Sequence, residues 1–150
     1  MLFRSRHADA IARLRRAEDW SLTPAPILEQ EARIDAGLGA VVPMREALER
    51  LRGCAGGRIA AMREAWMLEA SLEQEGGHIG EALHAYEEAF RITGDIDALA
   101  RAAQLADRLG DGRRALAAYG RLCELAPERG TCARHQALRN APPAAETAQP

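Results

Sequence analysis

The fold is decided by the stretch Gly77-His78-Ile79-Gly80-Glu81-Ala82-Leu83-His84-Ala85-Tyr86, because its pattern returns later in the chain. Five of its residues recur as Gly110, Ala115, Leu116, Ala118 and Tyr119, and the interval is the same for each. A fixed period of this length, about 33 residues, is typical of stacked helical hairpins, which cannot bury their apolar faces singly. Such proteins usually present a surface to a partner, so the repeat predicts an interaction protein and not an enzyme.

The composition fits one globular domain without a bulk preference for a charged partner. The chain has 150 residues, 47% hydrophobic residues and a net charge of −2. This length supports a core without cross-links, and the small net charge favours neither nucleic acid nor a membrane surface. All 20 basic residues are arginine, which we interpret as the codon bias of a GC-rich bacterial genome.

The cysteines and the N-terminus predict the compartment. Cys54, Cys123 and Cys132 are an odd set that cannot close into a disulfide framework, and a reducing cytoplasm is their simplest setting. The N-terminus has no apolar run as long as that of a secretory signal. No segment approaches the roughly 20 apolar residues of a spanning helix. We therefore expect a cytoplasmic protein without membrane insertion, or a periplasmic one if a signal segment has been removed.

Helical periodicity and glycine or proline breaks divide the chain into hairpins, and no long run alternates with the period of a strand. We predict an N-terminal helix or arm over 1–20, a helical domain over 24–140 and a disordered tail over 141–150. The domain is predicted to contain hairpins at about 25–54, 61–94 and 95–127 and a capping helix at 131–140.

Local signals support these boundaries. The predicted helix N-caps are Thr23, Asp95 and Thr131. The first hairpin has an apolar stripe of Ile27, Ile34 and Leu38 but lacks the shared motif, so we interpret it as a degenerate repeat. The N-terminal segment carries Arg13, Arg15 and Arg16. Two alternatives stay open for it: a helix packed on the first hairpin, or a basic arm for an acidic partner.

The two matching units resemble tetratricopeptide repeats (TPRs), helical hairpins of about 34 residues. In the unit from Ile96 to Arg129 the matching residues are Leu99, Ala102, Ala103, Ala106, Gly110, Ala115, Tyr119, Leu122 and Pro127. In the preceding unit they are Gly77, Ala82, Tyr86 and Ala89, with Gly94 in place of the proline. The resemblance implies an all-α, TPR-like superhelix of about three hairpins, with an N-terminal helix and a capping helix.

The register of the helix over 60–76 has two interpretations. Counting back from Gly77 places Glu69 and Glu73 inside, whereas counting back from Gly76 places Ala65, Leu68 and Leu72 inside and turns Trp66 outward. Buried unpaired carboxylates are costly, so we favour the second register. It implies that the first helices repeat with a slightly longer period than the second helices, and that the glycine-rich turn contains one inserted residue.

The resemblance implies a concave groove lined by the first helix of each hairpin. Under the favoured register its binding residues are Arg63, Trp66, Met67, Gln74, Arg101, Gln104 and Arg108, with Ala70 on the same face. Trp66 and Met67 suit a binding surface, although a core position for both stays open. The carboxylate-clamp residues of some TPR proteins are lacking apart from Arg101, yet Arg101 and Arg108 share a helix face and suit an acidic peptide.

We expect a non-enzymatic adaptor that binds another protein or a peptide segment. A chaperone like the TPR proteins of type III secretion, or an assembly subunit of a bacterial envelope or export machine, is the alternative. Nucleic-acid binding through arginines is a weaker one, because acidic residues interleave them. Residues 61–94 hold seven glutamates and two arginines, whereas 95–140 hold eight arginines and six acids, so a homo-oligomer stays open.

No cluster of residues predicts catalysis, a metal or a cofactor. Cys123, Cys132 and His135 match no common zinc spacing. The glycines around His78 lack the preceding strand and the following lysine of a phosphate-binding loop. The carboxylates are too evenly spread to single out a catalytic pair.

Overall fold

The computed structural model describes residues 2–19 and 24–140, and the chain is all-α across these ranges, with no strand in them. The helices there are α1 (Leu2–Asp19), α2 (Ala25–Gly37), α3 (Val41–Cys54), α4 (Ile59–Glu75), α5 (Ile79–Thr93), α6 (Ile96–Arg108), α7 (Gly112–Leu125) and α8 (Thr131–Asn140), with a 3₁₀ turn at Pro127–Arg129. The predicted all-α, helical repeat class is confirmed. The predictions for Thr23 and for the tail over 141–150 fall outside the described residues.

Helices that follow one another in the chain also pack together. The antiparallel pairs α2 with α3, α4 with α5 and α6 with α7 form the hairpins, and α3 packs on α4 and α5 on α6 where one hairpin meets the next. The first helices of the first two hairpins, α2 and α4, also touch. Outside the hairpins, α1 packs on α2 and α8 packs on α7.

The two turns that carry the repeated glycines share one hydrogen-bond pattern. In the second hairpin the amide of His78 donates to the carbonyl of Glu73 over 2.8 Å. In the third, the amide of Asp111 donates to the carbonyl of Ala106 over 2.9 Å. The intervening Gly77 and Gly110 have φ of +81° and +73°, a left-handed conformation that glycine adopts without a steric cost.

These hydrogen bonds correct the register predicted for α4. The interval from His78 to Asp111 equals that from Gly77 to Gly110, and so does the interval from Glu73 to Ala106. The turn of the second hairpin therefore contains no inserted residue. The register counted from Gly77 is therefore the one that is formed, and Glu73 is buried with 1% of its surface exposed. Ala65, Leu68 and Leu72 are buried as well, because α4 has the first hairpin on one side and α5 on the other.

The first hairpin closes with the same turn. The amide of Ala40 donates to the carbonyl of Asp35 over 2.8 Å, with Gly39 between them. The interval from Gly39 to Gly77 is longer than that from Gly77 to Gly110, because α4 has 17 residues where α2 and α6 have 13. Of the predicted stripe, Ile27 and Ile34 are half-buried and Leu38 is exposed, whereas the fully buried residues of α2 are Leu28, Glu31, Ala32 and Asp35.

Two apolar clusters fill the space between the helices. The larger one joins α4 to α7 and contains Tyr86, 1% exposed, surrounded by alanines of α5, α6 and α7. The smaller one joins α2, α3 and α4 and contains Leu48 and Leu51 of α3. Ala82 and Ala115 are fully buried, as expected for positions where two helices approach closely.

The caps of the third hairpin form as side-chain hydrogen bonds. The carboxylate of Asp95 accepts from the amide of Asp97 over 3.0 Å, which confirms the predicted N-cap of α6. Asp111 caps α7 by accepting from the amide of Arg114. Thr131 begins α8, but its buried hydroxyl has no hydrogen-bond partner within the described residues, so the predicted cap does not form there.

The turn geometry is testable with a matched pair of substitutions. An alanine Cβ at Gly110 or at Gly112 meets no atom within 4 Å, so only the backbone conformation differs between the two sites. Gly110→Ala should lower the free energy of unfolding by about 1–2 kcal/mol, because Gly110 is left-handed. Gly112→Ala should raise it by a few tenths to ~1 kcal/mol, because Gly112 begins α7. Urea unfolding measures both, and equal effects would contradict the assigned turn.

Candidate binding groove

The first helices of the first two hairpins carry carboxylates at inward positions. Glu31 and Asp35 on α2 are 1% and 2% exposed. The structurally equivalent residues of α4 are Glu69 and Glu73, and one repeat later Ala102 and Ala106 take their places. Buried carboxylates need partners, so the first two junctions between helices depend on what faces these groups.

One oxygen of the Glu73 carboxylate has a partner at the junction of α3 with α4. Arg45 of α3 donates from Nε to Oε1 of Glu73 over 2.5 Å. Nδ1 of His78 lies 2.9 Å from Oε2, but these two buried atoms form no hydrogen bond with each other or with another described residue. The buried carboxylate of Glu73 is therefore balanced by the charge of Arg45.

Glu69 and Trp66 meet one arginine at the same junction. Arg52 of α3 forms an ion pair with Glu69 and places its guanidinium carbon 4.3 Å from the centre of the Trp66 ring. Burial raises the pKa of Glu69, and the charge of Arg52 opposes that rise. Trp66 is half-buried and packs on the larger apolar cluster at the position that Leu99 occupies one repeat later. The indole is thus a packing residue between α3 and α4.

A groove runs between α2 and α4 on the side of α4 that carries Met67. Its volume is 340 Å³. Met67 and Leu68 are its apolar residues, and the polar ones are Glu29, Arg33, Arg63, Glu64 and Ser71. Both signs of charge therefore border an apolar surface. Arg33 and Glu29 are one helical turn apart, with 3.9 Å between Nη2 and Oε2, so they attract each other only weakly.

Two of the predicted groove residues lie together in this groove, and the others lie elsewhere on α4 and α6. Arg63 and Met67 line the groove between α2 and α4, and Arg63 also binds Asp95, with 2.6 Å from Nε to Oδ2. Trp66 is not among its lining residues. Ala70 is fully buried, so its predicted place on a groove face is wrong.

Three of the four remaining predicted residues lie on α6 of the third hairpin. Arg101 packs over Tyr86 of α5, with 5.8 Å from its guanidinium carbon to the ring centre and 3.5 Å from Nη1 to the hydroxyl. Gln104 and Arg108 are exposed on α6, and Gln74 is half-buried on α4. These four side chains do not line the groove between α2 and α4.

Sequence reasoning missed the contribution of α2. Glu29 and Arg33 line the groove because the first hairpin is a full repeat, whose turn has the same hydrogen bonds as the other two. The available signal was Gly39 with a helix start after it, the arrangement that also occurs at Gly77. The different interval and the carboxylates at inward positions concealed it.

Two buried carboxylates, Glu31 and Asp35, lie on α2, and Glu31 is the one that α1 reaches. Glu31 accepts from Nε of Arg15 over 2.7 Å and from Nη1 of Arg50 over 3.4 Å. Oδ2 of Asp35 is buried without a hydrogen-bond partner in the described residues. Burial raises the pKa of Asp35. The negative charges of Glu31 and Glu46 raise it further, and the positive charge of Arg15 opposes this rise.

Comparisons with known proteins leave the relationship of the chain open. No protein-family profile matches the sequence, and no curated protein is detectably similar to it. Among the described residues, no group of histidine, cysteine or acidic side chains is arranged to hold a metal ion. No helix of those ranges is long and apolar enough to cross a membrane.

The ion pair of Glu73 should contribute measurably to stability. Arg45→Met leaves the buried carboxylate without its main partner and should lower the free energy of unfolding by about 2 kcal/mol, below the ~3–5 for a fully enclosed pair, since Arg45 is 42% exposed. Adding Glu73→Leu should recover most of the loss. Arg91→Met, which breaks the exposed pair with Glu88, is the control and should leave the urea midpoint nearly unchanged. Equal effects of the two arginine substitutions would contradict the buried pair.

Asp35 should give the chain a specific pH dependence. Its folded-state pKa is raised, so the folded chain holds this proton more tightly than the unfolded chain does. The carboxyl therefore supports folding below its unfolded pKa, and that contribution is lost as pH rises through the folded pKa. Asp35→Asn should gain stability relative to wild type between about pH 4 and about pH 7. Urea unfolding at both pH values tests this, and a constant difference would exclude the buried carboxyl as its source.

Proposed function

We propose that the protein is a non-enzymatic, TPR-like adaptor that binds an extended segment of another protein. The observation that supports this best is the groove between α2 and α4, which places an apolar floor between side chains of both charges. It lies on the first helices of two consecutive hairpins, where the resemblance to TPRs implies a binding surface. The origin that we propose, from the arginine usage, is a bacterium.

The chemistry of the groove suggests what the segment contains. A volume of 340 Å³ suits a single large side chain with its backbone and not a compact domain. Met67 is flexible and polarisable, which favours adaptable contacts with an apolar anchor. Arg33 and Glu64 on opposite helices favour an anchor flanked by an acidic residue on one side and a basic residue on the other.

The third hairpin offers a second contact region. Arg101 is exposed and rests on Tyr86, so its guanidinium is oriented while its charge stays accessible. Arg108 is exposed and forms no ion pair with the described residues. Both favour acidic side chains in the part of the segment that continues past the groove. A chaperone or an envelope-assembly role remains an alternative form of the same binding activity.

The arrangement of the arginines supports a protein partner over nucleic acid. Arg45, Arg52, Arg63 and Arg134 are each paired with a carboxylate. Phosphate binding needs arginines whose charge is not already neutralised. The compartment that we propose is the cytoplasm or, as the alternative, the periplasm; a disulfide between Cys123 and Cys132 favours the more oxidising of the two.

Selection from a random-peptide display library tests the groove. We expect selected peptides to share an apolar residue beside charged ones, and Met67→Glu to weaken their binding at least tenfold, about 1.4 kcal/mol. A carboxylate on the groove floor would be desolvated by the apolar anchor, which explains the loss. Titration of a labelled peptide measures the affinities.

Arg121→Glu is the matched control, since Arg121 is exposed on α7 and does not line this groove. It introduces the same side chain and should bind the selected peptides like wild type. Circular dichroism establishes that both variants are folded. The proposal is wrong if folded Met67→Glu binds the peptides as tightly as the control does, or if no peptide is enriched.

A further inference from the structure

The C-terminal helix α8 is attached differently from the helices before it. None of its residues is buried, whereas α6 buries six, among them Leu99 and Leu105. One repeat after Leu99 the chain carries Cys132, which forms a disulfide with Cys123 of α7. A covalent bond thus stands where the preceding repeats bury a large apolar side chain.

Helix α8 packs along α7, but its side chains there stay partly or fully exposed. Arg134 holds Asp107 of α6 with two hydrogen bonds of 2.8 and 2.5 Å, but Arg134 is 48% exposed. Solvent-exposed ion pairs contribute little to stability. Leu138 packs on the larger apolar cluster, and Nε2 of His135 lies 3.2 Å from the position that a Cβ on Gly120 would take. Without the disulfide, α8 would therefore be held by side chains that water still reaches.

Both cysteines of the disulfide are partly exposed. Cys123 lines an open cavity of 450 Å³ on α7, together with His135 of α8. Arg113 and Arg121 border the same cavity, and Arg121 is paired there with Glu124 over 3.0 Å. The positive charge of Arg113 favours the approach of a thiolate, which is the species that attacks a disulfide.

We propose that the Cys123–Cys132 bond is a redox lock that controls whether α8 caps the stack of hairpins. A dithiol reductant opens it: one thiolate attacks a sulfur to form a mixed disulfide, and the second thiol then displaces the other sulfur. The bond takes up two electrons and two protons to give two cysteine thiols, and the dithiol leaves as its own disulfide. Reduction frees α8 and uncovers the face of α7 that carries Tyr119 and Leu122.

Hydrogen exchange measured by mass spectrometry tests the lock on the full chain. We expect oxidised protein to titrate with one free thiol, Cys54, and dithiothreitol-treated protein with three. Reduction should speed amide exchange across 131–140 at least tenfold and leave 96–108 unchanged. The Cys123→Ser variant should exchange like reduced wild type under both conditions, whereas Cys54→Ser should behave like wild type.

Several results would overturn the lock. Three free thiols in protein purified without reductant would show that the bond does not form. Unchanged exchange over 131–140 after reduction would show that α8 does not depend on it. A bond that stays intact in a large excess of reduced glutathione would be a permanent structural link. Accelerated exchange in 96–108 as well would show that reduction unfolds the third hairpin and not α8 alone.

Discussion

The alignment of α3 with α4 depends on a carboxylate buried where the first hairpin meets the second. Glu73 is enclosed at the junction of α3 with α4, and Arg45 reaches it from the facing helix. Removing such a charge from water is costly, and a partner must offset the cost, so the pair favours the alignment of the two helices that provides it. An apolar contact at the same position would tolerate sliding of one helix along the other, which an ion pair at 2.5 Å does not.

This alignment determines which side of α4 stays open. With Glu69 and Glu73 directed at α3, Trp66 turns into the same junction and lies under Arg52. Met67, the next residue, then faces α2 and lines the groove. The one aromatic side chain of this helix is consequently used for packing, and the smaller, more flexible Met67 stays on the open side.

The helices at the two ends of the stack, α1 and α8, are attached by different interactions. At the N-terminal end α1 covers α2, and Arg15 reaches Glu31 as Arg52 reaches Glu69. No such carboxylate occurs on α6, where Ala102 and Ala106 allow close apolar packing. At the C-terminal end α8 buries no residue and is joined to α7 by the disulfide. A stack of hairpins needs a capping helix at each open end. Here an ion pair attaches α1 and a disulfide attaches α8.

The helical class, the reversals at Gly77 and Gly110, and the motif positions of Ala82, Ala115 and Tyr86 follow from the amino-acid sequence. They depend on local conformation and on a repeat with a fixed period. Periodicity does not fix the register of α4, because a helix packed on two sides buries two faces and both registers match apolar residues. Nor does it show that Cys123 and Cys132 pair. These two points depend on tertiary contacts, since the partners of Glu73, Trp66 and Cys132 lie on neighbouring helices and the cost of burying a group depends on what faces it.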